Sequence, residues 1–310
     1  MDALFLLLGL ALILGGANYL TDGAAAVAKR FNISEFVVGL TIVAIGTSMP
    51  EMVVSLLSAL EGNGDIAVGN VVGSNIFNTF AILGVCALVR PMELTKENIR
   101  KDIPMGILAS MIFIMVTYSG KINNLHGIVM TLIWFALMFY TIKSSKKSFI
   151  PEEHDDSEGQ ISPLLSILFI VGGLGALIGG GQLFLDSAVK IAESFNIPQN
   201  VIAITLVAGG TSLPELAASL VSLLKGKNDI ALGNVIGSNI ANILLVLGVS
   251  SSVTPLHMNG ITIVDTLVVL GGMIILFVAP FIPPKNRLGR VDAAIMLACF
   301  IIYMYTTISL

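Results

Sequence analysis

The sequence GTSMPE at residues 46–51 returns as GTSLPE at residues 210–215. Around these two segments, residues 31–91 align with residues 195–255 without a gap, and 33 of the 61 aligned pairs are identical. Both copies place a glutamate directly after a proline inside an apolar run. A carboxylate in such surroundings is costly. Its duplication therefore indicates an internal repeat built around one ion-handling site.

The composition is that of an integral membrane protein. Of the 310 residues, 55% are hydrophobic and 12% are charged, whereas a soluble domain carries about 25% charged residues. The weak net charge of −4 and the lack of a basic cluster in the sequence argue against nucleic acid as a partner, and no obligatory protein partner is evident. Cys86 and Cys299 lie in apolar runs and predict no disulfide framework. We expect a multi-pass protein of the cell membrane, with the lipid bilayer as its surroundings.

Ten apolar stretches are long enough to cross the hydrocarbon core as helices, which takes about 20 residues each. The predicted fold is therefore an all-α membrane protein with ten transmembrane helices. Fourteen lysines and arginines fall in or beside alternate loops, beginning with the first, and only Lys121 and Lys190 fall on the other face. The first face is accordingly predicted to be cytoplasmic and both termini external. The predicted spans are 3–28, 36–60, 66–89, 103–119, 125–143, 163–189, 200–224, 230–253, 260–282 and 291–308.

Each copy of the repeat contains five of these spans. Because five is odd, the second copy enters the membrane from the opposite side, and the two halves are predicted to have inverted topology. We therefore divide the chain into a first five-helix repeat (1–143), an acidic cytoplasmic linker (144–162) and a second, inverted repeat (163–310).

The chemistry of each repeat begins with its proline. Pro50 and Pro214 lack an amide donor and are predicted to break spans 2 and 7, so that the carbonyls of the residues just before them lose their helical partners. Inside a membrane such carbonyls need another partner, and a cation can serve. Proline is tolerated in the first turn of a helix. Glu51 and Glu215 are therefore expected to open second half-helices near the middle of the membrane.

Spans 3 and 8 carry polar side chains at intervals of four residues, which places them on one helix face. Together with the glutamates they predict a site of carboxylates, amide oxygens, hydroxyls and carbonyls. Ca²⁺ binds six to eight such hard oxygen ligands, and Na⁺ also favours oxygen, whereas the histidines and cysteines that zinc or copper prefer are missing from both motifs. The polar stripe is Asn70, Ser74 and Asn78 in the first copy and Asn234, Ser238 and Asn242 in the second.

Other small and polar residues of spans 3 and 8 predict helix contacts rather than ligands. Gly69 with Gly73, and Gly233 with Gly237, form small-xxx-small pairs that let neighbouring backbones approach closely. Asparagine in a membrane helix is commonly an interhelical contact. We favour that role for Asn70, Asn75, Asn234 and Asn239.

Paired Gly-Thr-Ser-x-Pro-Glu segments, each followed by Gly-Ser-Asn-x-x-Asn, resemble the two α-repeats of the sodium/calcium exchanger family, within the cation/calcium antiporter superfamily. The resemblance covers essentially the whole chain and is of the prokaryotic type, since the short linker leaves no room for large cytoplasmic domains. It implies a secondary antiporter that exchanges Na⁺ for Ca²⁺ by alternating access, with three Na⁺ for each Ca²⁺. It also implies that spans 2, 3, 7 and 8 surround the ions while spans 1 and 6 slide past them.

The resemblance also implies a role for each motif residue. Some relatives place an aspartate at the position of Asn242, so the amide here argues against K⁺ co-transport and against a protonatable third carboxylate. Proton/calcium exchangers typically have Gly-Asn-Ala-x-Glu where this chain has Gly-Thr-Ser-x-Pro-Glu, which favours Na⁺ over protons. The implied metal ligands are Glu51 and Glu215, shared by Ca²⁺ and Na⁺; Thr47 and Thr211, through carbonyls to Ca²⁺; Ala44, Ser48 and Ser74 at an inner Na⁺ site; Ala208, Ser212 and Ser238 at an outer one; and Asn78 and Asn242 beside the centre.

Three alternatives remain open at this point. The nearest keeps the fold but exchanges Ca²⁺ for protons, or moves another divalent ion. A cation channel is less favoured, because inverted repeats around a midplane site are typical of alternating access. An enzyme is not favoured, since a membrane hydrolase would need a nucleophile, a histidine pair or a paired-aspartate motif that the sequence lacks. No cofactor is predicted beyond the transported Na⁺ and Ca²⁺.

Overall fold

The computed structural model describes residues 1–148, 161–195, 208–258 and 260–309. They form two compact units, each drawing on both halves of the sequence: Met1–Thr47 with Ala136–Asn234, and Ser48–Phe135 with Val235–Leu310. The helices are α1 (Asp2–Phe31), α2 (Glu35–Thr47), α3 (Met49–Leu60), α4 (Gly64–Val89), α5 (Ile103–Thr117), α6 (Asn124–Ser148), α7 (Pro163–Ser194), α8 (Leu213–Leu224), α9 (Asn228–Val253), α10 (Ile263–Val278) and α11 (Arg290–Ser309), with short helical turns at Ala208–Gly210 and Ala279–Phe281.

The described chain is a helical membrane protein, as predicted. Seven of its helices are long and apolar enough to cross a membrane, and the bent pair α2–α3 makes an eighth if it is one span. Over predicted span 4, the 15 residues of α5 continue directly from a π-helical turn at Asn98–Asp102. Over predicted span 7, α8 has 12 residues, and residues 200–207 lie outside the described residues. The count of ten spans, the division into 1–143, 144–162 and 163–310, and the orientation stay predictions.

Helix ends follow the local sequence. Helix α1 ends at Phe31, and the next residue, Asn32, adopts the left-handed conformation with φ of 51°. Glycine and asparagine are the residues favoured at this position. Ser34 then caps the next helix, its Oγ accepting a hydrogen bond from the Val37 amide at 3.3 Å. At α10, Thr262 and Asp265 form a reciprocal capping box.

In the unit formed by Met1–Thr47 and Ala136–Asn234, α1 and α7 pack closely through glycines. A Cβ atom on Gly16 would lie 2.7 Å from the Gly173 carbonyl oxygen, and one on Gly9 would lie 2.9 Å from that of Gly180. Contacts this short leave room only for hydrogen, so the two backbones touch. Because later residues of α1 meet earlier residues of α7, the helices run antiparallel. The two contacts are also equivalent under the 164-residue repeat.

In the unit formed by Ser48–Phe135 and Val235–Leu310, two short strand pairs join loops from the two halves of the sequence. The β1 strand (Met92–Glu93) pairs antiparallel with β4 (Arg287–Leu288), and β2 (Lys121–Ile122) pairs antiparallel with β3 (Leu256–His257). Each ladder has only two residues per strand, so the helices define the fold and the strands fasten the loops between them.

Four wider, π-helical turns occur in the described residues. They span Gly39–Val43 in α2, Phe77–Ile82 in α4, Asn98–Asp102 directly before α5, and Asn242–Val246 in α9. Such turns occur often at functional sites because they disturb the regular hydrogen-bond ladder. The turns in α4 and α9 include Asn78 and Asn242, the equivalent residues that end the predicted polar stripes.

Candidate ion-binding site

The predicted helix breaks lie just before the two glutamates. Helices α2 and α3 meet at Ser48 with a bend of 48°. Pro50 lies in the first turn of α3, next to Glu51, and α8 likewise begins with Pro214 and Glu215 in its first turn. The N-terminal turn of a helix carries partial positive charge, which stabilises a carboxylate there.

The two serines before these half-helices differ from the prediction. We expected their carbonyls to lack helical partners. Instead, the Ser48 carbonyl accepts from the Met52 amide at 3.1 Å, and the Ser212 carbonyl accepts from the Leu216 amide at 3.1 Å. The proline lacks the amide that would donate to the carbonyl four residues before it. The serine carbonyl is not affected, because the new half-helix already starts at the serine.

The first glutamate is buried and held by α4. The Ser74 hydroxyl donates to Glu51 Oε1 at 3.4 Å, and only 1% of the glutamate is exposed. One turn earlier, Asn70 Nδ2 donates to the Glu51 carbonyl at 3.2 Å and to Ser55 Oγ at 3.0 Å. The predicted stripe of α4 therefore faces α3, and Asn70 acts as the interhelical contact that the sequence favoured.

The second copy repeats this brace. Asn234 Nδ2 donates to the Glu215 carbonyl at 3.3 Å and to Ser219 Oγ at 2.9 Å. In addition, the Thr47 hydroxyl donates to Asn234 Oδ1 at 3.1 Å, which ties the end of α2 to α9. Asn234 is thus an interhelical contact, as expected. The serines at 55 and 219 were missed by the sequence reasoning, although their identity at the repeat spacing was available as a signal.

Close backbone contact between α2 and α9 accompanies these hydrogen bonds of Asn234. A Cβ atom on Gly233 would lie 2.3 Å from the Phe36 carbonyl oxygen, and one on Gly39 would lie 2.5 Å from that of Ile230. Helices α2 and α9 therefore approach each other as closely as glycine allows, which confirms the close contact predicted at Gly233.

For the equivalent glycines of the first copy, Gly69 and Gly73, the described residues show no such approach. A Cβ atom on Gly69 would meet only Ile261 Cδ1, at 3.7 Å, and one on Gly73 would have no atom of the described residues within 4 Å. Phe36 and Leu40, which Gly233 meets, have Asn200 and Ile204 as their repeat equivalents, and both lie outside the described residues. The close backbone approach expected at Gly69 and Gly73 therefore stays a prediction.

Several buried polar atoms of α4 and α9 have no hydrogen-bond partner among the described residues. They include both amide atoms of Asn78, the amide oxygen of Asn242 and the hydroxyl of Ser238. At most 1% of each of these residues is exposed. An unpaired buried oxygen costs free energy, which a bound cation would offset.

Burial of the remaining predicted ligands is uneven. Ala44, Thr47, Ser48 and Ser212 are buried, whereas Thr211 is partly exposed. Ala208 begins the short helical turn before α8, and its side chain lies outside the described part of the structure. Direct contact between predicted ligand side chains is described for one pair: Glu51 with Ser74.

The chain matches a known protein family over almost its whole length. A family model described as "Sodium/calcium exchanger protein" matches residues 1–143 and 165–309. The chain belongs to the sodium/calcium exchanger family. Its family and fold are those of cation/calcium antiporters, and it is a multi-pass membrane transporter rather than an enzyme.

Relatives and solved structures agree with this assignment. The chain is 35% identical to the "Putative antiporter CaxA" of Alkalimonas amylolytica, over 99% of this chain and 98% of that one. It is 30% identical to the "Sodium/calcium exchanger MaX1" of Methanosarcina acetivorans, over 97% of both. A structure of the sodium-calcium exchanger NCX_Mj soaked with Na⁺ and Ca²⁺ matches with a TM-score of 0.84 and 32% identity, covering 98% of this chain and 97% of that one. The resemblance read from the motifs, prokaryotic type included, is confirmed.

Proposed function

We propose that the protein is a secondary antiporter that exchanges Na⁺ for Ca²⁺ by alternating access. The observation that carries the proposal is the pair of buried glutamates, Glu51 and Glu215, each in the first turn of a half-helix and each braced by an asparagine at the same repeat position. Two buried carboxylates at equivalent positions favour one transport site made by duplication. The names of the relatives MaX1 and NCX_Mj, both sodium/calcium exchangers, support the choice of ions.

The ligand set follows the duplicated motif. Glu51 and Glu215 bind Ca²⁺ and Na⁺ in turn, so that the two ions compete for the same oxygens. The Ser74 hydroxyl, already 3.4 Å from Glu51 Oε1, needs only to turn its proton away to offer its oxygen to Na⁺. The remaining proposed ligands are Thr47, Thr211 and the amides of Asn78 and Asn242 for Ca²⁺, with Ala44 and Ser48 at an inner Na⁺ site and Ala208, Ser212 and Ser238 at an outer one.

The family resemblance implies three Na⁺ per Ca²⁺, and counting charges shows what that ratio would mean for transport. With both glutamates ionised the site carries two negative charges, which one Ca²⁺ neutralises. Three Na⁺ leave one positive charge, so the Na⁺-loaded site moves one elementary charge through the membrane field. The amides of Asn78 and Asn242 add no charge that would alter this count. Exchange against protons is the second candidate, but an aspartate beside the glutamates would serve it better than these amides.

The arrangement in the membrane is part of the proposal. We infer ten spans as two inverted five-helix repeats, with the linker 144–162 cytoplasmic and both termini outside. The antiparallel packing of α1 against α7, through repeat-equivalent glycines, supports inversion at the first helix of each half.

Calcium uptake into proteoliposomes tests the proposal, with Na⁺, K⁺ or proton gradients imposed one at a time. We expect uptake with the Na⁺ gradient alone. Glu51→Gln and Glu215→Gln should each reduce it to less than about a tenth of the wild-type rate, because each removes half of the site's charge. Glu35→Gln is the matched control: it removes a carboxylate that pairs with Lys227 at 2.7 Å, and uptake should persist. Uptake driven only by protons would favour the second candidate, and normal uptake by either site variant would refute the ligand assignment.

A further inference from the structure

A chain of two hydrogen bonds leads from a backbone carbonyl to one of the proposed ligands. Asn75 Nδ2 donates to the Asn239 carbonyl at 3.3 Å. Asn242 Nδ2 then donates to Asn75 Oδ1 at 3.2 Å. All three residues are at least 96% buried, so water does not replace these contacts. Asn75 therefore lies between a fixed backbone group and the amide of Asn242.

The Asn239 carbonyl determines which atom donates and which accepts in both hydrogen bonds. A backbone carbonyl only accepts hydrogen bonds, so the Asn75 amide must turn its Nδ2 towards Asn239. The Oδ1 of Asn75 consequently faces Asn242, and this oxygen can only accept a hydrogen bond. The amide of Asn242 must therefore donate from Nδ2 to Asn75, and the Oδ1 of Asn242 then points away from Asn75. That oxygen is buried and has no hydrogen-bond partner among the described residues.

We propose that Asn75 is a positioning residue: it fixes the amide of Asn242 so that the oxygen, and not the N–H, faces the transported cation. The inference rests on the proposed function, because it assumes that Asn242 contributes to the ion site. An amide has one end that attracts a cation and one that repels it. Holding the correct end in place before the ion arrives avoids a reorientation on each binding event.

The repeat-equivalent residues lack this device. Asn239, the equivalent of Asn75, donates its Nδ2 to the Thr79 hydroxyl at 2.7 Å and not to a backbone carbonyl. Its Oδ1 and both amide atoms of Asn78 have no hydrogen-bond partner among the described residues. The residue equivalent to Thr79 is Ile243, which has no hydroxyl to compete for Asn75. A single sequence difference between the copies thus explains why only the amide of Asn242 is oriented.

The test compares Asn75→Ala with the wild type in Na⁺-driven Ca²⁺ uptake and in stabilisation of the purified protein by Ca²⁺ against heat. We expect the Ca²⁺ concentration for half-maximal effect to rise about tenfold, while the maximal rate changes less than about twofold. Asn75→Leu has the same number of side-chain heavy atoms and serves if the alanine variant does not fold. Asn239→Leu is the matched control. It also loses a buried amide contact, but the half-maximal concentration should stay within about twofold of the wild type.

A double-mutant cycle separates positioning from general structure. Asn242→Asp supplies two equivalent oxygens that need no orientation. In that background Asn75→Ala should leave the half-maximal Ca²⁺ concentration nearly unchanged. An equal loss in both backgrounds, or no loss in a folded Asn75 variant of an active exchanger, would overturn the inference and leave the proposed function intact. A wild-type protein that neither transports nor binds Ca²⁺ would overturn both.

Discussion

Gly233→Ala is the substitution whose effect the structure determines most directly. The added methyl would lie 2.3 Å from the Phe36 carbonyl oxygen and 2.9 Å from the Leu40 amide nitrogen. Both obstacles are backbone atoms of α2, which cannot turn aside as a flexible side chain can. The helices must therefore move apart.

The size of this movement follows from the distances. Real Cβ atoms essentially never lie closer than 3.0 Å to such a neighbour, so α2 must retreat from Gly233 by about 0.7 Å. The adjacent hydrogen bond from the Thr47 hydroxyl to Asn234 Oδ1 measures 3.1 Å. A comparable displacement takes it beyond the range of a hydrogen bond. Overpacking of this kind costs about 3 kcal/mol, and the lost contact disturbs a proposed Ca²⁺ ligand.

We expect Gly233→Ala to lower the melting temperature by about 6 °C or more and to raise the Ca²⁺ concentration for half-maximal uptake about tenfold. Thermal unfolding of the purified protein and uptake into proteoliposomes measure the two effects. Gly179→Ala is the control, because Gly179 is an exposed glycine of α7. Its methyl would have no atom of the described residues within 4 Å, so both quantities should stay near the wild-type values. Equal behaviour of the two variants would refute the reasoning.

Two further outcomes are expected. In Na⁺-loaded proteoliposomes an inside-positive potential should speed Ca²⁺ uptake and an inside-negative potential should slow it. The reason is that one net positive charge leaves with Na⁺, which is worth about 2.3 kcal/mol per 100 mV. An uptake rate that does not change with a clamped potential would indicate neutral exchange. In a background without Cys86 and Cys299, a single cysteine at Lys146 should react with an impermeant reagent only from the cytoplasmic side and one at Lys121 only from outside; the reverse labelling would overturn the orientation.

The sequence predicts most of the fold because the membrane restricts what an apolar run can do. A stretch of about 20 apolar residues in lipid must satisfy its backbone internally, and a helix does so. The position of each break is equally predictable, since proline cannot donate the bond that would continue the helix. Glu51 and Glu215 were recognisable for a related reason: a carboxylate inside an apolar run is too costly in lipid to be incidental.

The contacts that arrange the site were less predictable. Which carbonyl starts the second half-helix depends on a local choice of dihedral angles, and the structure starts it at Ser48, one residue before the helix proper. The direction of an amide depends on what lies across from it in the folded chain. Asn75 and Asn239 belong to identical Gly-Ser-Asn motifs, yet one faces a carbonyl and the other a hydroxyl. No pattern within the motif distinguishes them.

The repeat therefore predicts the two copies equally well but not their differences, and these differences separate the roles of equivalent residues. Asn75 donates to a backbone carbonyl where Asn239 donates to a hydroxyl, because the residue equivalent to Thr79 is Ile243. A transporter whose two halves were identical in sequence and in contacts would have equal energies for its two exchanged arrangements. A contact that is present in only one arrangement makes their free energies differ by the free energy of that contact. In the proposed alternating-access cycle, substitutions at sites where the copies diverge in packing should therefore shift the preference between the two access states. Substitutions of the shared glutamates should instead affect ion binding in both states.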